Sequence, residues 1–154
     1  LTENVNKSCR FLLFTWDEKP VGIVAIISQP GKGRPNATAL SRTVVLPDFQ
    51  GMGLGTRLSE FAAGVFVNQG KQVYTKTISP ALGEYRNKSD KWRGTTNNGK
   101  TRTVSPDWNK NILTRASYCH EYVGDKITGY EEMLLSIGDM RKNKKKVSQL
   151  KIEL

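Results

Sequence analysis

Val44-Val45-Leu46-Pro47-Asp48-Phe49-Gln50-Gly51-Met52-Gly53-Leu54-Gly55-Thr56-Arg57-Leu58 passes from β-branched strand residues, through a proline-marked turn, into three alternating glycines and a helix start. Glycines permit positive φ and let the main chain approach a bulky group closely. The first turn of a helix carries unpaired N–H groups and the positive end of the macrodipole, so the turn is suited to an anion such as a pyrophosphate. The spacing excludes two common phosphate-binding phrases. Gly55 is followed by Thr56-Arg57 rather than by Lys-Ser or Lys-Thr, and Gly51, Gly53 and Gly55 lie two apart rather than in a Gly-x-Gly-x-x-Gly array.

Outward from this stretch the chain alternates in character. Leu54, Leu58, Phe61, Ala62, Val65 and Phe66 recur at the spacing of one helix face, and Gly70 supplies a stop. Residues 72–78 return to strand composition, so strand, glycine turn, helix and strand make a βαβ unit with a right-handed crossover. Upstream, residues 11–16 and 21–27 flank a polar turn at 17–20 and predict a hairpin, the second strand being buried on both faces. Residues 29–36 hold two prolines and two glycines and predict a loop, and residues 40–46 a third strand. Downstream, Ser79-Pro80 opens a short helix through Tyr85. Residues 87–109 read as a long loop or irregular hairpin, 115–123 as a late strand, and 130–140 as a helix.

The 154 residues suffice for one domain, assigned to 1–140, with a basic tail over 141–154. No apolar run approaches the roughly 20 residues of a membrane span. Two cysteines make no disulfide framework, and residues 1–9 are too polar for a secretion signal, so a cytoplasmic location is expected. Net charge is +10, and the excess is concentrated. Residues 86–115 hold eight basic and two acidic side chains, residues 139–154 six and two. Such concentration implies an anionic partner, either a phosphate-rich cofactor or a nucleic acid. Trp92 and Trp108 interleave with the cations of 86–115, a combination that can grip phosphates and stack on bases or, alternatively, pack back on the sheet.

Gln50, Gly53 and Gly55 fill the (Arg/Gln)-x-x-Gly-x-(Gly/Ala) signature of the Gcn5-related N-acetyltransferase (GNAT) superfamily, and the whole phrase from Val44 to Leu58 resembles that family. The resemblance is good over residues 20–78 and loose elsewhere. It implies a mixed α/β fold: a mostly antiparallel sheet with one splayed parallel pair, and helices on both faces. It also implies acetyl-CoA, or another acyl-CoA, as cofactor and an amine as acceptor. Val44, Val45 and Leu46 would pair with the pantetheine arm as an added strand does. Gln50, Gly51, Met52, Gly53, Leu54, Gly55 and Thr56 would hold the pyrophosphate, and Ser79 would contact the pantetheine. The family often carries two helices before the first hairpin that shape the acceptor site. Only ten residues precede Phe11, so that region is expected to be short or missing and the acceptor stays open.

The family often places a carboxylate base on the strand before the signature, whereas residues 40–44 offer only Ser41 and Arg42 as polar catalytic types beside Thr43. Ser41 is therefore a catalytic candidate, with water-relayed deprotonation or an already neutral amine. Tyr85 is the candidate acid for the leaving sulfur, against a plain packing role. His120, the only histidine, is a candidate base by its near-neutral pKa, against a hydrogen-bonded structural role. Its neighbours Cys119 and Glu121 point to the other face of a strand, and no metal site is expected. Residues 85–93 and 117–124 also resemble the phage-associated, Mom-like branch of the superfamily, which modifies bases in DNA. Two alternatives to amine acylation thus stand: modification of a DNA base, and a non-catalytic module binding DNA or RNA through 86–115 and the tail.

Overall fold

The computed structural model describes residues 9–31, 33–101 and 116–130, and the backbone of 135–136. The first described elements are a hairpin, β1 (Cys9–Trp16) and β2 (Lys19–Ser28), closed by Asp17 and Glu18 at φ 46° and 62°. Two successive positive φ values give the turn the twist that antiparallel strands need. Pro20 pairs with Thr15 at a register shift, where a missing N–H is tolerated. β3 (Ala37–Val45) returns antiparallel to β2, and a short 3-10 turn (Pro47–Phe49) leads into the glycines.

Helix α1 (Leu54–Asn68) then crosses to β4 (Gln72–Thr77), which runs parallel to β3. The amphipathic face expected from the spacing is the buried one: Leu54, Leu58, Ala62, Val65 and Phe66 are all inside. Leu58, Ala62 and Phe66 meet Leu12, Phe14, Val24, Ile26, Leu40 and Val73 from the sheet in one core. Each large side chain fully buried there contributes about 1.5–3 kcal/mol relative to exposure.

Helix α2 (Pro80–Lys88) extends three residues beyond Tyr85 and is followed by β5 (Trp92–Gly94), β6 (Lys100–Thr101) and β7 (Ala116–Tyr122). β5 and β6 both pair with the same edge of β7, so residues 92–101 form one edge interrupted by a turn, the irregular alternative among the two expected. Among the described residues the strand path is β5-β7-β4-β3-β2-β1-β8, where β8 is Leu135–Ser136. Helix was expected over 130–140; at 135–136 the backbone instead pairs with Arg10 and Phe11 of β1. The open edge of β1 supplies ladder partners that local periodicity does not report. The rest of that stretch, apart from Tyr130, and the basic tail lie outside the described residues.

Sheet parity places both described helices on one face. Val73 and Thr75 share a side of β4; Val73 joins the α1 core, and Thr75 accepts from Arg86 of α2. Gly83 is what lets α2 come so close: a Cβ there would fall 2.1 Å from the Tyr118 ring of β7.

Candidate functional site

The parallel pairing of β3 and β4 runs from Ala37–Gln72 to Leu40–Thr75 and stops. Beyond it, residues 42–45 remain paired only with β2. The separation has a local cause on β3. Ile26 pairs with Leu40 and Ala25 with Arg42, so Ser41 is an extra residue in the ladder, a bulge that turns the strand. Two cavities meet at this divergence and share Leu40, Ser41, Thr75 and Lys76. One, of about 420 Å³, lies between the diverging strands beneath the helices, walled by residues 40–44, Gly55, Thr75, Lys76, Thr77, Leu82 and Arg86. The other, of about 520 Å³, is reached from the 29–34 loop and is walled also by Tyr74, Thr95, Cys119 and His120.

The glycine turn adjoins the first cavity through Gly55, which lines it. Gly51 and Gly53 hold φ of 84° and 72°, Gly53 being the N-cap of α1. No side chain caps the helix, so its first-turn N–H donors are not consumed by a capping group. Thr56 Oγ1 instead donates to Gly53 O at 2.6 Å, and Gln50 Nε2 donates to Val45 O at 2.9 Å, tying the turn to the end of β3. Val44, Leu46, Met52 and Ile78 stay 38–58% exposed around this end, an apolar rim left uncovered by the described fold.

The three catalytic candidates are placed differently. Ser41 lies at the bulge, exposed and lining both cavities. Tyr85 does not line the first cavity; the α2 residues that do are Leu82 and Arg86. Its hydroxyl donates instead to Glu60 Oε1 at 2.8 Å, and the carboxylate pushes its pKa up, with burial adding to the effect. The expected acid is therefore turned toward α1, because the helix extends further and carries Tyr85 on the flank rather than over the gap. Ser79 is the N-cap of α2, its N–H donating to Thr77 Oγ1, and Thr77 rather than Ser79 lines the cavity.

His120 is fully buried, and its ring tautomer is set by a chain of hydrogen bonds. The backbone N–H of Cys119 donates to Asn98 Oδ1, which makes Asn98 Nδ2 the donor to Asn87 Oδ1. Asn87 Oδ1 then accepts from His120 Nε2 at 2.8 Å, leaving the lone pair on Nδ1, a buried atom without a hydrogen-bond partner among the described residues. Burial, and then the Arg86 charge, depress its pKa, so the ring is neutral. Alternation along β7 turns His120 toward α2 with Tyr118 and Tyr122, and Cys119 to the opposite face.

Sequence reading missed Glu60. It is a buried α1 carboxylate that accepts from Tyr85 Oη, Trp92 Nε1 (3.2 Å) and Lys91 Nζ (3.2 Å). A charged residue on an otherwise apolar helix face was the available signal. The basic segment is also corrected in part. Arg86 is only 4% exposed and stacks on buried Trp92, Lys91 pairs with Glu60, and Arg93 pairs with Glu121 at 2.7 Å. These cations complete internal pairs or stacks, while Lys88 and Lys100 remain exposed and Arg102, Trp108, Lys110 and Arg115 lie outside the described residues.

The acetyltransferase (GNAT) family profile matches residues 2–85, and the chain belongs to that family. Solved structures agree on the fold. A GNAT family acetyltransferase from Elizabethkingia anophelis with acetyl-CoA bound superimposes with a TM-score of 0.54 at 16% identity, covering 75% of this chain and 76% of that one. The ribosomal-protein-S18-alanine N-acetyltransferase of Escherichia coli gives 0.53 at 16% identity, covering 81% and 74%. A Bacillus subtilis acetyltransferase in complex with CoA gives 0.55 at 13%, covering 79% and 80%. No curated protein matches the sequence significantly. No helix among the described residues is long and apolar enough to cross a membrane.

Proposed function

We propose that this chain transfers an acyl group from acetyl-CoA, or a related acyl-CoA, to an amine. The observation that carries this reading is the alignment of the uncapped start of α1 with the opening between β3 and β4, joined by the 420 Å³ cavity. An anionic pyrophosphate fits the N–H groups of residues 51–56. The edge of residues 44–46 that β4 leaves, where only the Gln50 amide reaches Val45 O, can add a pantetheine arm as a further strand, with the apolar rim against its carbon chain. Acetyl-CoA and CoA in two of the similar structures support the same cofactor.

The amine would enter from the 520 Å³ cavity and meet the thioester at Ser41. No Asp or Glu lines either cavity, and the only imidazole on their walls is buried His120, so the amine arrives neutral or loses its proton through water or to the His120 Nδ1 lone pair. Arg34 lies 5.1 Å over the Tyr74 ring in that cavity, and Lys76 stands beside them. The neighbouring carboxylate, Glu121, is engaged by Tyr74 Oη and Arg93, so the two wall cations favour an acceptor that carries negative charge. The same cation-and-aromatic set supports a second reading, in which the amine belongs to a nucleic-acid base.

Calorimetric titration with acetyl-CoA and CoA, repeated with a short DNA duplex present, tests both readings. Micromolar cofactor binding is expected. A protein that binds neither thioester nor thiol would end the acyltransfer reading, and cofactor binding indifferent to DNA would end the second.

A further inference from the structure

Arg86 is the buried charge that the fold does not use up. The residue is 4% exposed, it stacks at 4.7 Å on the Trp92 ring, and Nη1 donates to Thr75 Oγ1 at 3.2 Å. Among the described residues it makes no ion pair, since the nearby Glu60 is held by Tyr85, Trp92 and Lys91. A guanidinium has five N–H donors, and burying them unpaired is costly. None of its nitrogens is a sealed, unpartnered atom; the side chain lines the cavity between β3 and β4. Its anchor, Thr75, is the last residue of β4 paired with β3, so the cation sits at the apex of the divergence. The glycine turn, where a pyrophosphate fits, meets the same cavity through Gly55.

We propose that Arg86 is a catalytic residue that stabilises the thiolate leaving CoA. This rests on the acyl-CoA reading above. The amine attacks from the Tyr74–Lys76 side, while the sulfur, still bonded to the pantetheine, stays in the cavity beneath the helices beside Arg86. The C–N bond forms, the C–S bond breaks, and the sulfur takes the bonding pair as thiolate. The nitrogen gives its proton to water, and the thiolate takes a proton from water as it leaves. A guanidinium is too weak an acid to protonate the sulfur, but a fixed cation lowers a thiol's pKa and so makes the thiolate a better leaving group. This arrangement needs no tyrosine acid, in keeping with Tyr85 being bonded to Glu60. Trp92 and Thr75 hold the fork in place, so no reorganisation is required at the moment of bond cleavage.

The test is titration of the thiol of CoA bound to the intact protein, followed by thiolate ultraviolet absorbance, with calorimetry of CoA binding beside it. In the wild type the bound thiol is expected to ionise at least about one unit below free CoA, a roughly ten-fold larger thiolate fraction near neutrality. Arg86→Met should restore the free value without weakening binding of a CoA analogue that lacks the sulfur. Arg86→Lys, which keeps the charge, should retain part of the shift. A bound thiol with an unshifted or raised pKa in the wild type overturns the proposal, whether or not Arg86→Met folds. So does an equal shift in wild type and Arg86→Met. If CoA does not bind the wild type, the acyl-CoA reading falls first and this proposal with it.

Discussion

Tyr85 Oη donates to Glu60 Oε1 at 2.8 Å, linking α2 to α1 across the flank of the cavity. Trp92 and Lys91 bond to the same carboxylate, so Glu60 joins the segment that follows α2 to the helix that follows the glycines. The geometry gives Tyr85 a structural partner. Tyr85→Phe is expected to leave turnover and CoA affinity unchanged and to lower stability by about 0.5–1.5 kcal/mol, the usual net worth of such a bond. A large fall in turnover at unchanged cofactor affinity would return Tyr85 to the mechanism.

Glu60→Ala should cost more. It leaves Trp92 Nε1 without its acceptor in the interior and removes a carboxylate whose charge acts on buried Arg86, so a loss of about 2–4 kcal/mol is expected in denaturant unfolding. A loss comparable to that of Tyr85→Phe would show that the cluster is weakly coupled.

Gly53→Asp tests the glycine turn. A Cβ at Gly53 meets nothing within 4 Å, and the positive φ costs a side chain only about 1–2 kcal/mol, so the fold should survive. The carboxylate would stand where the pyrophosphate is proposed to lie. Calorimetry should show CoA affinity abolished in a protein with native circular dichroism; retained affinity would move the cofactor elsewhere.

Gly83→Ala is expected to destabilise by about 1–3 kcal/mol or more, because backbone and ring both resist the displacement that a Cβ 2.1 Å from Tyr118 demands. Thermal unfolding reads the loss. CoA affinity should also weaken, since α2 carries Leu82 and Arg86 into the cavity wall. A melting temperature equal to wild type would contradict this packing.

His120 sets a pH dependence with a definite sign. Its folded pKa lies below the ordinary 6.5, so above that value both folded and unfolded states hold the neutral ring and it contributes no slope. As pH falls below 6.5 the unfolded chain binds the proton first, and stability drops until the folded pKa is reached. Melting temperatures taken at decreasing pH should fall more steeply in the wild type than in His120→Gln. Parallel curves would mean that the ring titrates normally in the fold.

The path from Val44 to Leu58 was legible because each step is local. Glycines fix the backbone conformations, the 3.6-residue spacing fixes the buried face of α1, and β-branched runs fix β2 and β3. Those features sufficed to identify the order strand, turn, helix, strand, and with it the fold. Nothing local marked Ser41 as a bulge, since the extra residue exists only relative to the register of β2. Nor did the run Tyr85-Arg86 show which side chain faces the cavity. That depended on how far α2 continues and on how closely Gly83 seats it against Tyr118. Arg86 was one of eight cations in residues 86–115 until Trp92, Thr75 and the helices enclosed it, and Glu60 gained three donors from residues 25 to 32 positions away. The sequence by itself determined where backbone donors and apolar faces form, because those follow from neighbours along the chain. Only the tertiary structure decided which charges are buried and toward what, because burial and pairing are properties of segments brought together from afar.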